Sequence, residues 1–295
     1  MRPRGSGGYG GRGAVGLVGL LVGTVGASFE PLLLGPEAAG LDGAVTARAT
    51  GPDALAWNPA GLARGRGVNI ATACTDHYGL AGFGTARLAA TRRWGVHALG
   101  CSASASRFGD LFREQIFSLG WGMNLVEREL GGHLSVGGGL HWLQLDAPSY
   151  GKSGDPSYQG GAGGWTADLG IQVAPLPMFS VGVVARHLRR PRLSLLADQN
   201  AVEATESDWR LGFAYRWGAE INISVDLALA GEPGTVVGLE LTPHDSIDLR
   251  AGAGRNRITM GLGIGSEPWE VGVAVVGHRE LGLSWSLGLD WKCRP

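Results

Sequence analysis

The chain has 295 residues and a formal net charge of −1, and only 17% of its residues are charged, against 44% hydrophobic. That charged fraction is below the roughly 25% of ordinary soluble domains, while the regular spacing of its apolar residues argues against Gly-rich disorder. The near-neutral charge, with no basic patch interleaved with aromatic residues, argues against a nucleic-acid partner.

The first 27 residues have the arrangement of a secretory signal peptide. Three arginines lie in the first twelve positions, residues 14–25 are apolar, and residues 25–27 are small enough for cleavage. The apolar run is shorter than the roughly 20 residues that a membrane-spanning helix needs. We therefore predict a cleaved leader over residues 1–27 and an exported mature protein.

Residues 28–66 are rich in small side chains and are predicted to form a compact segment ahead of the strands. Helices are possible over 38–49 and 53–57. Pro59 disfavours the α conformation at Asn58, so the chain should turn there, and the Asn58 side chain can bond the nearby backbone in an Asx-type turn. Such a self-bonded segment is suited to fill a space enclosed by later strands.

From residue 68 onward the dominant hydrophobic period is two, which indicates β-strands. Residues 209–217, 221–229 and 281–291 show it most clearly. About fourteen such segments begin near residues 68, 78, 94, 112, 133, 165, 179, 209, 220, 235, 246, 257, 269 and 281. One segment changes phase between Trp142 and Leu143, where we predict a β-bulge.

The connections between these segments differ in length according to whether they are odd- or even-numbered along the chain. The third, fifth and seventh are predicted to be the longest, whereas the even-numbered ones are short. In an up-and-down meander, odd and even connections lie at opposite ends. Long loops at one end and short turns at the other are typical of transmembrane β-barrels.

Tryptophans near the ends of the segments agree with a membrane barrel, because indole rings concentrate at membrane interfaces. They are Trp94, Trp165, Trp209 and Trp269 near segment starts, and Trp217 and Trp291 near segment ends. We therefore predict an all-β fold, a transmembrane antiparallel up-and-down barrel of about 14 strands over residues 67–295, with a small N-terminal hatch or plug over 28–66. A soluble all-β protein is the alternative.

The stretch "ATGPDALAWNPAGLA" resembles the N-terminal signature of FadL-like outer-membrane barrels, which include the long-chain fatty-acid transporters. It is more similar to the PorV/PorQ-type branch associated with type IX secretion. The matching positions are Asp53, Ala54, Asn58, Pro59, Ala60, Gly61 and Leu62. The resemblance implies a fourteen-stranded barrel with an N-terminal hatch, in the outer membrane of a diderm, Gram-negative-type bacterium. The motif covers some 25 residues, and the rest of the chain matches by layout.

The last strand also resembles a family signal. Residues 280–287, "ELGLSWSL", are similar to the C-terminal insertion signal read by the barrel-assembly machinery. The chain departs from the usual form because it continues to Pro295 instead of ending on an aromatic residue. The expected partners are therefore outer-membrane lipid and that machinery.

Two sets of candidate site residues follow. The hatch or gate set is Asp53, Asn58, Pro59, Ala60 and Gly61. The candidates for lining the lumen are Arg210, Arg216, Glu220, Asp226, Glu240, Asp248 and Arg250. The first set is either a structural turn that fixes the segment to the wall or a movable constriction. The second is either a polar route or a salt-bridge network that fills the lumen.

No enzymatic site, cofactor or metal site is predicted. Asp76-His77 is a single adjacent pair, His133 and His141 share a face but are too far apart to chelate alone, and no Ser/His/Asp constellation can be assembled from the sequence. The three cysteines have no CxxC spacing; Cys74 and Cys101 either pair or remain independent thiols.

Two functions remain open. In the first, the barrel passes hydrophobic small molecules across the outer membrane, which requires a route past the hatch and an apolar pocket beside it. In the second, it is a secretion-associated barrel that binds and hands over secreted protein cargo without conducting solutes. This second function predicts a plugged lumen and a partner surface on the third, fifth and seventh connections.

Overall fold

The computed structural model describes residue 29 and residues 33–127, 132–154, 156–197, 200–230 and 234–293. The predicted signal peptide lies outside the described residues.

Fourteen antiparallel strands form a closed barrel in which each strand pairs with its neighbours along the chain, and the last strand pairs with the first. Its strands are β1 (Val68–Asp76), β2 (Phe83–Trp94), β3 (His97–Phe108), β4 (Phe112–Glu127), β5 (His133–Asp146), β6 (Ala162–Leu176), β7 (Phe179–Arg186), β10 (Asp208–Trp217), β11 (Ile221–Ala230), β12 (Thr235–His244), β13 (Ile247–Ala253), β14 (Arg257–Ser266), β15 (Trp269–His278) and β16 (Gly282–Cys293). The short strands β8 (Arg192–Leu193) and β9 (Val202–Glu203) pair with each other outside the barrel.

The predicted strand number is confirmed, and the starting positions agree closely. Only the second strand begins more than three residues from its predicted start, at Phe83 instead of residue 78. Trp94 was expected at the start of a strand, but it ends β2.

The prediction of a long third connection is wrong. Arg107 and Arg113 still pair in register across the hairpin of β3 and β4. Only residues 109–111 therefore join these two strands. The two long connections are the fifth, residues 147–161, and the seventh, residues 187–207. We call their end of the barrel the loop end, and the opposite end, where both β1 begins and β16 ends, the turn end.

The outer face of the barrel is apolar along its length, as a lipid-facing surface requires. Its exposed side chains include Leu88, Leu119, Leu239, Met260 and Leu287. Exposed tryptophans mark both ends. At the loop end they are Trp142, Trp165, Trp209 and Trp285, and at the turn end they are Trp94, Trp217 and Trp269.

Residues 33–67, which we call the inner segment, lie within the barrel. Their short helical elements are α1 (Pro36–Gly40), α2 (Ala54–Trp57) and the 3₁₀ helices η1 (Gly51–Asp53) and η2 (Pro59–Arg64). The continuous helix considered over 38–49 does not form, because Asp42 and Gly43 adopt positive φ angles of 51° and 82°. Turns replace it, and the helix over 54–57 is present.

The two long connections fold over the loop end. The fifth contains α3 (Pro148–Ser153), and the seventh contains β8 and β9. A bridge between Tyr158 and Leu196 joins the two connections. Arg189 places its guanidinium 4.1 Å from the ring centre of Trp165, so the seventh connection also covers the end of β6.

The three cysteines are free and exposed, so the possible pairing of Cys74 with Cys101 is absent. Cys74 lies on β1 and Cys101 on β3, with β2 between them.

Candidate functional site

Asn58 lies at the centre of the inner segment and is fully buried. Its extended backbone, with φ at −159°, ends α2, and its Oδ1 accepts a hydrogen bond of 3.2 Å from the Ala60 N–H at the start of η2. Its Nδ2 donates to the Thr46 carbonyl at 2.9 Å and reaches the carbonyl of Ile171 on β6 at 3.3 Å. One side chain therefore closes the turn and connects it to the barrel wall.

The rest of the predicted gate set packs around this turn. Pro59 opens η2, Ala60 is fully buried, and Gly61 lies so close to the Ala49 carbonyl that a Cβ atom would overlap it. Asp53 accepts a 2.6 Å hydrogen bond from Arg87 of β2, and Arg87 also donates to the Pro52 carbonyl at 2.5 Å. All five residues thus contribute to holding the segment in place.

Inward-facing glycines let the inner segment approach the strands closely. A Cβ atom at Gly137 of β5 would overlap the Pro59 carbonyl, and one at Gly182 of β7 would overlap the Thr46 carbonyl. Gly138, the next residue on β5, faces outward, and its added Cβ would make only ordinary contact at 3.6 Å. Part of the high glycine content therefore serves the fit between backbone and backbone.

On the other side of the barrel, ion pairs hold the inner segment. Arg48 contacts Glu240 of β12 at 2.5 Å and Glu37 of α1 at 3.2 Å. Arg250 of β13, which faces Glu240 in the strand register, contacts Glu240 at 2.7 Å and Asp248 at 3.0 Å. All five residues come from two adjacent strands and the inner segment, and each charge has an opposite charge beside it.

Asp226 and Asp42 make two further attachments. Asp226 on β11 accepts a 3.0 Å hydrogen bond from the Thr46 N–H. The completely buried Asp42 accepts a 2.6 Å bond from Arg257 of β14. Because burial in this apolar setting disfavours the charged form, the pKa of Asp42 is raised despite Arg257.

The remaining predicted lumen residues are divided between the two ends. Arg210 contacts Asp208 at 2.9 Å at the loop end. Arg216 is exposed near the turn end and donates to the Pro177 carbonyl at 3.1 Å. Glu220 lies in the exposed turn between β10 and β11, outside the lumen cluster, because β11 begins one residue after it. Glu240, Asp248, Arg250 and Asp226 thus form the cluster that holds the inner segment. Arg216 shares a turn-end cavity with Arg64 of that segment, whereas Arg210 and Glu220 do not bond to it.

A cleft lies between the inner segment and the loop end, on the side of β2 to β7. Its empty space, including the part open to solvent, is about 740 Å³. Leu55 and Ala56 of α2 form part of its lining, together with inward-facing residues of β3, β4, β5 and β6. This space lies beside Leu55 and Ala56, between Asp53 and Asn58 of the predicted gate.

One end of the cleft is apolar. Leu143, Leu145 and Phe29 form a buried cluster with Leu193 and Leu195 of the seventh connection. This cluster explains the phase change in β5: the strand pairs without a shift at Trp142, so Leu143 continues the inward face and meets the covering loops. The predicted bulge is therefore absent there, and the irregularity lies on β4 between Asn124 and Val126.

The opposite wall of the cleft is polar. Ser102, Ser118, His141 and Thr166 form one cross-strand row from β3 to β6, since each is paired in register with the next. Ser118 Oγ lies 2.8 Å from His141 Nδ1. His141 Nε2 lies 3.0 Å from Asp168 Oδ2. The alternation in the sequence indicates the face on which His141 lies, but it does not give the register between strands. Because Ser118, His141 and Asp168 are each more than twenty positions apart, the sequence did not reveal that they meet.

Arg87, Arg186 and His187 complete this wall. Arg186 pairs with Asp208, and His187, the first residue of the seventh connection, donates its backbone N–H to Asp168 at 2.9 Å. Burial, offset in part by Asp168 and reinforced by Arg186, lowers the pKa of His187 to about 4, so its imidazole is neutral near pH 7.

Two polar cavities lie on the other side of the inner segment, towards the turn end. Their empty spaces are about 680 and 820 Å³, and both are lined by Glu37, Thr50 and Arg64. Burial, with Arg216 nearby, lowers the pKa of Arg64 to about 10, so it remains a cation at neutral pH. The inner segment thus separates a part-apolar cleft from polar cavities.

Solved structures of low sequence identity share this architecture. The toluene transporter TodX of P. putida matches with a TM-score of 0.62 at 10% identity, over 90% of this chain and 100% of its own. The Ralstonia pickettii toluene transporter TbuX matches with 0.61 at 13%, over 90% and 99%. A Pseudomonas aeruginosa FadL homologue matches with 0.61 at 11%, over 88% and 98%.

The chain has the fold of the FadL-type outer-membrane transporters. No family model matches the sequence, and no curated protein does. The more specific similarity to the PorV/PorQ-type branch stays a prediction from Asp53–Leu62.

Over residues 33–127, 132–154, 156–197, 200–230 and 234–293, no helix is long and apolar enough to cross a membrane. Within the same ranges, no group of three or more His, Cys, Asp or Glu residues is placed to hold a metal ion.

Proposed function

We propose that this protein is an outer-membrane channel that takes up a hydrophobic small molecule and releases it to the periplasm. The observation that carries the proposal is the cleft of about 740 Å³, which has an apolar end at Leu143 and Phe29 and lies directly against α2 of the inner segment. With the loop end facing outward, as is usual for such barrels, the cleft receives the molecule and the polar cavities form its exit. No catalysis is needed for this function.

The inner segment is the barrier on this route, so we propose Asp53 and the Asn58 turn as its gate. On the cleft side, Asn58 fixes the segment through hydrogen bonds of neutral groups, and Arg87 forms one ion pair with Asp53. A larger network of ion pairs around Arg48 and Arg250 holds its other side. Rearrangement of the Asn58 turn alone would connect the cleft with the turn-end cavities while the ion pairs persist.

The experiment compares uptake of radiolabelled toluene, used as a hydrophobic probe, by cells that express each variant at equal surface levels. Leu143→Trp fills the apolar end of the cleft and should reduce uptake several-fold. The matched control is Leu140→Trp, because Leu140 lies on the same strand but faces lipid and is half exposed. Equal uptake by both variants and the parent chain would refute the channel.

A second function is favoured by the extent of the inner segment's contacts. The inner segment contacts strands around the whole barrel, from Asp53 with β2 to Asp42 with β14. Such contacts would plug the lumen, as the function of a secretion-associated barrel requires. In that case the fifth and seventh connections would bind the secreted protein. Deleting residues 194–201 should then abolish co-purification of cargo, and the parent chain should show no more toluene uptake than cells that lack it.

A further inference from the structure

Ser118, His141 and Asp168 meet on the polar wall of the cleft in the arrangement of a hydrolytic triad. Ser118 Oγ and His141 Nδ1 are 2.8 Å apart, which is hydrogen-bond distance. His141 Nε2 lies 3.0 Å from Asp168 Oδ2. That contact is close but not aligned as a hydrogen bond, which is common in unliganded catalytic sites.

The barrel fixes these three residues rigidly. Ser118 and His141 are directly opposite each other on β4 and β5, and Asp168 on β6 faces Gly139, two residues from His141 on the same side. All three side chains are buried. Asp168 is also held by the His187 N–H at 2.9 Å, so its other oxygen stays directed at the imidazole.

The protonation pattern follows from these contacts. With the ring proton on Nε2, facing the Asp168 carboxylate, Nδ1 has a free lone pair for the Ser118 hydroxyl. This is the logic of a serine nucleophile, a histidine base and an orienting carboxylate, which is recognised by geometry and not by order in the chain.

The cleft supplies the remaining requirements. Ser118, His141 and Asp168 all line it, and so do Leu143 and Phe29 at the apolar end. Arg87 and Ser102 line the same wall, with Ser102 in register opposite Ser118. Because Arg87 already donates to Asp53 and Pro52, the Ser102 hydroxyl is the donor available to an oxyanion that develops beside Ser118.

We propose that Ser118 and His141 are catalytic residues, and Asp168 a positioning residue, of a hydrolase site that cleaves a carboxylic ester whose apolar part lies against Leu143. This activity goes beyond passage of a molecule through the barrel and does not depend on it.

The reaction balances without a further reagent. Ser118 Oγ attacks the ester carbonyl carbon and gives its proton to His141 Nδ1. The bond from carbon to the alcohol oxygen breaks, and the alcohol leaves with that proton. Water then attacks the acyl carbon, passes a proton through His141 back to Ser118 Oγ, and releases the acid.

The first test is covalent labelling of the purified, folded barrel with a fluorophosphonate probe, followed by mass spectrometry of the modified peptide. We expect an adduct on Ser118 that His141→Asn reduces by about 100-fold or more. The matched control is Ser104→Ala, which removes another cleft hydroxyl and should leave labelling unchanged.

Hydrolysis of p-nitrophenyl butyrate is the second measurement, with heat-modifiable gel migration to show that each variant is folded. Ser118→Ala should abolish hydrolysis. Asp168→Asn should change both the rate of probe labelling and the dependence of that rate on pH. The groups that line the cleft with His141 and set that profile are Glu114, Arg87, Asp168, Arg186 and His187.

Three results would overturn the proposal: no adduct on Ser118 under conditions that label a control hydrolase, equal labelling of parent and His141→Asn, or hydrolysis that persists in Ser118→Ala. The row would then serve only to satisfy buried polar groups. Toluene uptake is measured separately, so the failure of either proposal leaves the other testable.

Discussion

The inner segment is held differently by the two sides of the barrel. Towards β11 to β14, charged side chains attach it: Arg48 to Glu240, Thr46 to Asp226, and Arg257 to Asp42. Towards β4 to β7, which we call the glycine side, Gly137 and Gly182 admit its backbone and Asn58 bonds the wall through neutral groups. Gly252 of β13 admits the backbone on the charged side as well. The cleft lies on this second side and extends to β2 and β3. We propose that the charged side is a fixed anchor and that the segment moves on the glycine side.

Loss of Arg250 should have the largest effect, because it leaves Glu240 and Asp248 short of their buried partner. Breaking a buried ion pair typically costs about 3–5 kcal/mol, so Arg250→Gln should lower the free energy of unfolding by about that amount. Denaturant titration of the refolded barrel in lipid vesicles measures this. Arg255→Gln, in the exposed turn between β13 and β14, is the control and should have no measurable effect. A small change for Arg250→Gln would contradict the anchor.

Gly137→Ala tests the opposite side. The added methyl overlaps the Pro59 carbonyl, and overpacking of this kind costs about 1–3 kcal/mol. We expect a lower unfolding free energy in the same titration, together with faster hydrogen exchange over residues 54–64, while residues 36–48 stay protected. Gly138→Ala, one position away and facing outward, controls for the general effect of replacing glycine in β5. An equal acceleration of hydrogen exchange over the whole inner segment would show that the two sides of the barrel do not hold it independently.

Much of the barrel could be predicted because its signals are local. Alternation needs only neighbouring residues, so strand number and most starting positions were predictable. The third connection could not be, because residues 106–114 look like a loop until the pairing of Arg107 with Arg113 is known. Likewise Leu143 suggested a bulge because the cover over its inward face comes from the seventh connection, fifty residues later.

The candidate site was less predictable for the same reason. Register decides which residues on adjacent strands meet, and alternation does not determine register. Asn58 was identified because a proline restricts the residue before it, which is a local rule. The row from Ser102 to Thr166 needs three hairpin registers at once. Glu220 failed as a lumen residue because a shift of one position at a strand end moves a side chain out of the alternating pattern.

A smaller effect is expected for the fifth connection, which covers the cleft on the glycine side. Tyr158 Oη accepts a 3.2 Å hydrogen bond from the Ala147 N–H and lies 3.3 Å from Asp146 Oδ1. Tyr158→Phe removes both hydrogen bonds of this hydroxyl, and a single hydrogen bond of this kind typically contributes about 1 kcal/mol. Hydrogen exchange over residues 147–161 should accelerate by about fivefold, with global stability nearly unchanged. Tyr150→Phe is the control from the same connection, and an equal acceleration there would show that ring packing, not the hydroxyl, holds the cover.

The mildest test uses pH on the seventh connection. His187 has a folded pKa of about 4, below its ordinary value of 6.5, because burial disfavours its cation. An opened connection exposes the imidazole and binds a proton more readily, so opening should become easier as pH falls from about 6.5 to 4 and change no further below that. Limited proteolysis of residues 187–207 between pH 7.5 and 4 measures it. His141, Asp168, Arg186 and Asp208 also face His187, so His187→Gln separates their contribution: a flat profile in this variant assigns the pH dependence to His187, and an unchanged profile moves it to those neighbours.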